Sequence, residues 1–467
     1  MKKQKIVIIG IDGASYRFID DNKPSFKIFT KMLNKNMLIA LRSTIPPSTI
    51  PAWMSIFTGV NPGKHGYFGF IEPHLYEYKV VNLLKCPVKR LWNILSEKKL
   101  KGVILNVPIV YPVEKVRGVM VAGMFAPSNR YDAKTVFPSK FKYLLLKNGY
   151  KIDVNIEKLK TLNSNQALNF LKDVIRKRTK TFLDLMLKTK SDYGIIVYTE
   201  LDRMQHLFWY DRNAILKLYQ IIEQEVMEIM NALGVPVILV SDHGFKGYKY
   251  KFIVDLYLKS RGYLEFIKNT KIKSKLIKLL NTRSLPRFFL KLLGKITTKT
   301  LAYEIIDWSK TIAYFQRDSW ALSINLKGRE PRGIVSCEKY QVLKNKLITE
   351  FKNLTFNGEK IFHEVHDTSK IYWGPFVTKA PDIVLIPSHV FAIDWSRSIV
   401  EGDSIIEDFV LFMNKQLGEH DMYGILGIVG TEIPLNLSMY DVMPIILNYF
   451  NLNIPQYLDG RLYLRVS

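Results

Sequence analysis

The stretch from Ser43 to Gly66, STIPPSTIPAWMSIFTGVNPGKHG, could place a hydroxyl nucleophile at the start of a helix. Pro46 and Pro47 favour an extended backbone. The next two residues, Ser48 and Thr49, are both common at helix N-termini. The free amide donors and the positive dipole end of such a helix would favour an attacking alkoxide and an incoming phosphate beside Thr49. The alternative interpretation is an ordinary capped surface helix.

Metal-type ligands stand at four predicted strand ends, where open parallel sheets bind their ligands. They are Asp12, the pair Asp202 and His206, the pair Asp242 and His243, and His420. Each one alone has an ordinary interpretation as a turn, cap or hydrogen-bonded polar residue, but four such positions together indicate a site. Three carboxylates and three imidazoles suit two borderline divalent ions.

These residue types predict displacement chemistry at phosphorus. Two ions about 4 Å apart would clamp both the attacking and the leaving oxygen of an in-line displacement. An ion bound to Thr49 Oγ would lower the pKa of the hydroxyl and produce the nucleophile without a histidine base. The residues alone therefore predict a two-metal enzyme with a threonine nucleophile.

Alternating strands and helices could position these residues. Buried strands are predicted at 5–11, 100–108, 117–124, 193–199, 235–241, 381–387 and 424–430. A helical pattern runs from 140 to 190, and a second helix from 211 to 233 should stop at Gly234. The predicted fold class is α/β, with a doubly wound, mostly parallel sheet covered by helices.

A basic segment interrupts this alternation. From Lys268 to Lys299, lysines and arginines alternate with leucine, isoleucine and phenylalanine, without one acidic residue. We interpret residues 251–374 as an inserted, largely helical basic cap, and residues 1–250 and 375–467 as the metallohydrolase core. The cap either packs its apolar face and leaves its lysines solvated, or gathers anionic substrate or docks on acidic lipid.

Composition limits the class of protein. With 467 residues, 48% apolar and 24% charged, the chain is long enough for one large domain with insertions or for two domains. Cys86 and Cys337 are the only cysteines, which indicates a reducing, intracellular setting. The N-terminal apolar run is too short for a signal segment, and no stretch reaches the roughly 18 apolar residues of a spanning helix.

The net charge of +26 predicts attraction to an anionic partner. We expect a cytoplasmic protein, with peripheral contact to an acidic membrane surface as an additional partner. Its substrate would be an anionic phosphate ester. The chain carries no specific motif for RNA or DNA recognition, although a basic nucleic-acid binding module is the alternative outside enzymology.

Five segments together carry a family resemblance: VIIGIDG, PSTIPAWMSIFTGVNPGKHG, ELDRMQHLFW, SDHGF and EHDMYGILGIVG. The closing stretch SMYDVMPIILNYFNLNIPQYLDGR adds to it. The chain resembles the alkaline phosphatase superfamily and, within it, the type I phosphodiesterase and nucleotide pyrophosphatase branch. The resemblance covers roughly residues 1–250 and 375–467 and leaves the cap unmatched.

The resemblance implies a metal-dependent hydrolase of phosphodiesters or nucleotide pyrophosphates. Thr49 would be transiently phosphorylated or nucleotidylated, and the cofactors would be two divalent ions, zinc by preference and manganese as the alternative. Two ligand sets are implied: Asp12, Thr49, Asp242 and His243 for one ion, and Asp202, His206 and His420 for the other.

Other activities of the superfamily remain as alternatives. Sulfatases need a C/S-x-P-x-R sequence whose arginine is missing here, and cofactor-independent phosphomutases use serine where this chain has Thr49. The alternatives that remain are a phosphoryl or head-group transferase and, with threonine at position 49 against it, a cofactor-independent phosphomutase. Phe70 stands near the position where nucleotide pyrophosphatases usually carry an asparagine that contacts a phosphate oxygen, so another group must complete the anion site.

Overall fold

The computed structural model describes residues 4–77, 79–124, 126, 131–267, 303, 305–316, 319–394 and 409–463. The chain divides into two compact units. The first unit comprises Met1–Tyr67, Asn82–Gly247 and Gln416–Ser467, and the second comprises Phe68–Val81 and Tyr248–Lys415. Among the described residues, no helix is both long and apolar enough to cross a membrane.

The first unit contains most of the helices and the largest sheet of the described chain. In order, its elements are β1 Ile6–Ile11, α1 Tyr16–Asp21, α2 Ile28–Asn34, β2 Leu38–Arg42, α3 Thr49–Thr58, α4 Pro62–His65, α5 Leu91–Glu97, β3 Gly102–Leu105, β4 Gly118–Val121, β5 Val136–Phe137, α6 Lys142–Lys147, α7 Ile156–Leu159, α8 Ser164–Thr189, β6 Tyr193–Tyr198, α9 Glu200–Phe208, α10 Arg212–Leu233 and β7 Val237–Val240.

The chain then enters the second unit within a strand and leaves it within another. These elements are β8 Gly244–Ile253, α11 Val254–Ser260, β9 Ala313–Gln316, β10 Ala321–Ile324, α12 Cys337–Lys352, β11 Thr355–Phe356, β12 Glu359–Lys360, β13 Phe362–Asp367, α13 Thr368–Ile371, β14 Ile383–Pro387, β15 Phe391–Asp394 and β16 Val410–Asp421. Back in the first unit, β17 Tyr423–Ile428 and α14 Val442–Tyr449 follow.

An eight-stranded sheet organises the first unit, in the order β2-β17-β7-β1-β6-β3-β4-β5. The five strands from β7 to β4 are parallel to one another, while β17, β2 and β5 pair antiparallel. Every residue of β1 is buried, as expected for a central strand with the sequence IVIIGI. The predicted α/β class with a mostly parallel, helix-covered sheet is confirmed.

The parallel strands follow the apolar runs of the sequence. The predicted strands near residues 5, 100, 117, 193 and 235 are β1, β3, β4, β6 and β7. Gly234, with φ of +58°, ends α10 as predicted. The helical pattern at 140–190 is divided into α6, α7 and α8, because loops interrupt it before Asn163 caps the long helix.

The second unit contains a four-stranded sheet in the order β13-β14-β10-β9, antiparallel throughout. Helix α12 packs on β13 and β14, and α11 packs on β9. This sheet departs from the largely helical cap that the sequence predicts. The basic stretch from Lys268 to Lys299, predicted to be amphipathic, lies outside the described residues.

The unit boundaries also differ from the predicted ones. The strand expected in the core at 381–387 is β14 of the second unit, and Phe68–Val81 and residues 375–415 are grouped with the second unit. An apolar run indicates a buried strand, but it does not identify the sheet, because the pairing partners of the strand are distant in sequence.

Candidate metal centre and active site

Thr49 is the first residue of α3 in the structure. Ser48 precedes the helix with an extended backbone, and its side chain makes no capping hydrogen bond. The amide donors of the first turn are therefore not taken up by the Ser48 side chain. Thr49 is 4% exposed, and its Oγ1 lies 3.4 Å from Nε2 of His243. The hydroxyl is thus held at the N-terminus of a fully buried helix.

A first group of metal-type ligands forms where two neighbouring strands end. Asp12 follows β1, and Asp242 and His243 follow β7, which pairs parallel with β1. Ligand atoms of these three residues lie within 4.8 Å of one another. His243 Nε2 is 3.1 Å from Asp242 Oδ2 and 3.8 Å from Asp12 Oδ1. The sheet therefore brings together residues 230 positions apart in sequence.

A second group lies between α9 and the end of β16. Asp202 and His206 are one helical turn apart on α9, and His420 comes from β16. Asp202 Oδ1 lies 3.3 Å from Nε2 of each histidine, and the two Nε2 atoms are 3.0 Å apart. The rings of His243 and His420 stack with centroids 3.7 Å apart, so the two groups are adjacent.

The tautomers of all three histidines leave Nε2 as a ligand atom. The Nδ1–H of His420 donates to the carbonyl of Pro47 at 2.9 Å, and that of His243 donates to Gly244 at 3.0 Å. His206 Nδ1 faces the carbonyl of Gly418 at 3.3 Å. A backbone carbonyl accepts but cannot donate, so it selects the tautomer protonated on Nδ1. This outer arrangement is common for histidines that bind metals.

The remaining ligand atoms therefore face one another across the site. His243 Nε2 faces the carboxylate of Asp242 at 3.1 Å, and His206 Nε2 faces His420 Nε2 at 3.0 Å. Asp12 Oδ1 and Asp242 Oδ2 are buried and accept no hydrogen bond within the described residues. Converging buried acceptors are unfavourable unless a cation lies among them. The residues therefore fit divalent ions at both groups.

The pKa values show that some of these groups hold a proton when no cation neutralises them. Burial raises the pKa of Asp242 to about 8, and burial together with the neighbouring Asp242 raises the pKa of Asp12 well above its usual range. Burial lowers the pKa of His243 to about 4. At His420 burial opposes the charge, but the hydrogen bond with Asp202 and the charge of Glu419 outweigh it and raise the pKa to about 9.

Three contributors to the site were missed by sequence reasoning. Glu419 lies within ligand distance of His206 and His420, and its only signal was the dipeptide EH. The amide of Gly13, with φ of +71°, donates to Asp242 Oδ1 at 3.2 Å, and the Gly13 carbonyl accepts from Gln205 Nε2 at 2.9 Å. Such contacts join residues about 190 to 230 positions apart, so no local pattern indicates them.

The histidine of the nucleophile segment has a different role. His65 is 1% exposed, accepts the amide of Tyr67 at Nδ1 and lies 3.1 Å from Ser55 Oγ. It therefore ties the turn after α4 back to α3. Phe70, which stands where an anion-binding asparagine was expected, lies in the second unit.

Solved structures with the same fold come from two kinds of enzyme. Phosphonoacetate hydrolase from Sinorhizobium meliloti 1021, in complex with phosphonoformate, matches with a TM-score of 0.59 and 12% identity over 94% of each chain. Human ectonucleotide pyrophosphatase/phosphodiesterase 5 matches with a TM-score of 0.53 and 12% identity, over 98% of this chain and 97% of that one. An inactive murine form of the same enzyme in complex with AMP also has a TM-score of 0.53 and 12% identity, over 97% and 96%.

These likenesses show that the chain has an alkaline phosphatase-like fold. The family model for type I phosphodiesterase/nucleotide pyrophosphatase matches residues 6–395, and the chain belongs to this family. It is a hydrolase of phosphoric ester bonds. No curated protein sequence gives a significant match.

Proposed function

We propose that the protein is a metal-dependent phosphodiester hydrolase that acts through a phosphorylated Thr49. One observation carries the proposal. The Thr49 hydroxyl lies 3.4 Å from His243 Nε2 at the start of α3, beside Asp12, Asp242 and His243, whose ligand atoms lie within 4.8 Å of one another and include two buried carboxylate oxygens that accept no hydrogen bond within the described residues. A hydroxyl in this position can attack phosphorus while the surrounding groups hold cations.

The proposed ligands form two sets. Asp12, Asp242 and His243, together with the Thr49 hydroxyl, would hold one divalent ion, and Asp202, His206 and His420 the other. Mixed nitrogen and oxygen donors suit zinc, and manganese is the alternative. When bound, the ions would supply charge stabilisation at phosphorus and a lower pKa for the Thr49 hydroxyl.

The side chains then divide the reaction into two displacements. Thr49 Oγ attacks phosphorus and its proton is lost to solvent. The bond from phosphorus to the leaving oxygen breaks, and this oxygen takes up a proton from solvent and departs as the alcohol. The amide N–H groups at the start of α3 donate hydrogen bonds to the phosphoryl oxygens. In the second displacement water attacks phosphorus and Thr49 leaves with its hydroxyl restored.

A substrate panel tests the proposal. Protein stripped of metal and reconstituted with zinc or manganese would be assayed with bis-p-nitrophenyl phosphate, p-nitrophenyl phosphate and a nucleoside triphosphate analogue. We expect the diester to be hydrolysed faster than the monoester, with all activity dependent on added metal. A preference for the monoester would overturn the diester assignment, and full activity in metal-free protein would overturn the metal dependence.

We also propose that the protein works in the cytoplasm and contacts acidic surfaces peripherally. Support comes from the excess of 68 lysines and arginines over 42 acidic residues and from the presence of two cysteines with no disulfide pattern.

A further inference from the structure

Trp53 connects the nucleophile helix to a carboxylate of the first ligand group. It lies one turn after Thr49 on α3 and is fully buried. Its indole N–H donates to Asp12 Oδ2 at 3.0 Å. The other oxygen, Asp12 Oδ1, accepts no hydrogen bond within the described residues and lies 3.8 Å from His243 Nε2. One oxygen is thus held by the indole, and the other is turned toward the ligand group.

Two neighbouring residues restrict the position of the indole. Gly10 of β1 faces it, and a Cβ built on Gly10 would lie only 2.5 Å from Trp53 Cη2. A glycine inside a buried strand is otherwise unfavourable, and here it gives the ring room to lie against the backbone of β1. Phe57 also stacks on Trp53, with the ring centroids 5.8 Å apart. The ring therefore cannot move away from Asp12 without disturbing both neighbours.

We propose that Trp53 is a positioning residue that orients the Asp12 carboxylate for the ion it would share with Asp242 and His243. The inference rests on the proposed metal-dependent function and deepens it. Outer groups that orient a metal ligand typically change metal affinity by 10-fold to 100-fold when they are removed. A tryptophan that only filled the core would change stability and leave metal affinity unaltered.

Trp53→Phe separates these two roles, because it keeps an aromatic ring and removes the N–H donor. Trp92→Phe is a matched control. Trp92 is also fully buried, and its Nε1 donates at 3.2 Å to Glu114, which is none of the candidate ligands. Both variants lose the same atoms from a buried indole. The comparison therefore isolates the contact with Asp12.

The experiment measures zinc binding to metal-free full-length protein in chelator-buffered titrations, together with urea unfolding of the metal-free forms. We expect Trp53→Phe to lower the affinity for one of two zinc ions by 10-fold to 100-fold and to leave the affinity for the other unchanged. Trp92→Phe should alter neither affinity. High zinc should restore hydrolysis by Trp53→Phe. Equal weakening by Trp92→Phe would assign the effect to packing and overturn the inference.

The outcomes for the parent protein separate this inference from the proposed function. A parent that binds no divalent ion overturns both. A parent that binds two ions and hydrolyses a diester, with an unchanged isotherm for Trp53→Phe, overturns the role of Trp53 alone. If Trp53→Phe does not fold, indole N–H resonances of ¹⁵N-labelled parent replace it: we expect at least one to shift as zinc binds, and the absence of any shift at zinc saturation overturns the inference.

Discussion

At the residue scale, the first prediction concerns the Thr49 hydroxyl, whose oxygen lies 3.4 Å from His243 Nε2. Thr49→Ala removes the attacking oxygen and one proposed metal ligand, while Ala is well tolerated in a helix. We expect the rate of diester hydrolysis to fall by several orders of magnitude, as for other covalent nucleophiles. Steady-state kinetics at saturating metal measures it.

Thr49→Ser is the matched control, because it keeps the hydroxyl and removes one methyl group. It should retain measurable turnover and form a covalent phosphoserine that can be trapped by acid quenching. Hydrolysis by Thr49→Ala at even a tenth of the parent rate would exclude Thr49 as the nucleophile.

The second residue-scale prediction concerns the two ligand groups. His206 and His420 meet at 3.0 Å between their Nε2 atoms and share Asp202, whereas Asp12 and Asp242 meet His243. His206→Ala and His420→Ala should therefore weaken binding of the same ion, and Asp12→Asn should weaken binding of the other ion. Elemental analysis and metal titration of each variant measure this, with two ions per chain expected for the parent. If all three variants weakened binding of the same ion, the assignment of these residues to two separate ligand sets would be wrong.

At the scale of elements, much of the first unit follows from local patterns in the sequence. The apolar run of β1 and the Gly234 stop of α10 are local signals, and the structure has both. The carboxyl ends of parallel strands meet at one edge, which is why Asp12, Asp202 and Asp242 could be grouped from sequence. The contacts that Trp53, Gly13 and Gln205 make around these ligands could not be predicted from sequence. They form only when distant segments pack together in the folded chain.

The second unit illustrates the opposite case. Its strands β9 and β10 are four residues long, AYFQ and ALSI, and too short to show a clear alternation. The strand β14, which pairs with β10, is about 60 residues further along the chain. Pairing at such separation depends on tertiary packing, so the sequence led to a helical cap and to a boundary at 375.

An element-scale prediction comes from the buried ion pair between α8 and α9. Arg178 Nη2 and Glu200 Oε1 are 2.7 Å apart, and both side chains are fully buried. Arg178→Met would leave the Glu200 carboxylate buried without its cation. We expect the free energy of unfolding to fall by about 3–5 kcal/mol. Urea unfolding of the metal-free protein measures it.

The double variant Arg178→Met with Glu200→Leu is the control for that prediction. Removing both charges leaves no unpaired ion, so most of the lost stability should return. If the losses in free energy of unfolding of Arg178→Met and Glu200→Leu simply add in the double variant, the ion pair does not couple α8 to α9. Because α9 carries Asp202 and His206, an Arg178–Glu200 interaction that joins α9 to α8 would also help to hold these two ligands in position.

At the scale of the whole molecule, the net charge of +26 is the dominant long-range feature. A charge of this size attracts anionic surfaces within about 10 Å at 0.1 M salt, and the attraction weakens as salt rises. The protein should therefore sediment with vesicles containing phosphatidylserine at low salt, should not sediment with neutral phosphatidylcholine vesicles, and should be released at high salt. Binding to neither kind of vesicle, or equal binding to both, would contradict the proposed contact with acidic membranes.

Matched charge variants then identify which part of the chain carries that binding. One variant replaces Lys271, Lys273 and Lys275 with glutamine, within the segment free of acidic residues. The other replaces Arg176, Lys180 and Lys188, which are exposed on α8. With about 1 kcal/mol for each basic residue at the membrane surface, three residues at the contact correspond to about a hundredfold in affinity. We expect that loss for the first variant and a much smaller one for the second. Equal losses would mean that binding reflects total charge rather than this segment.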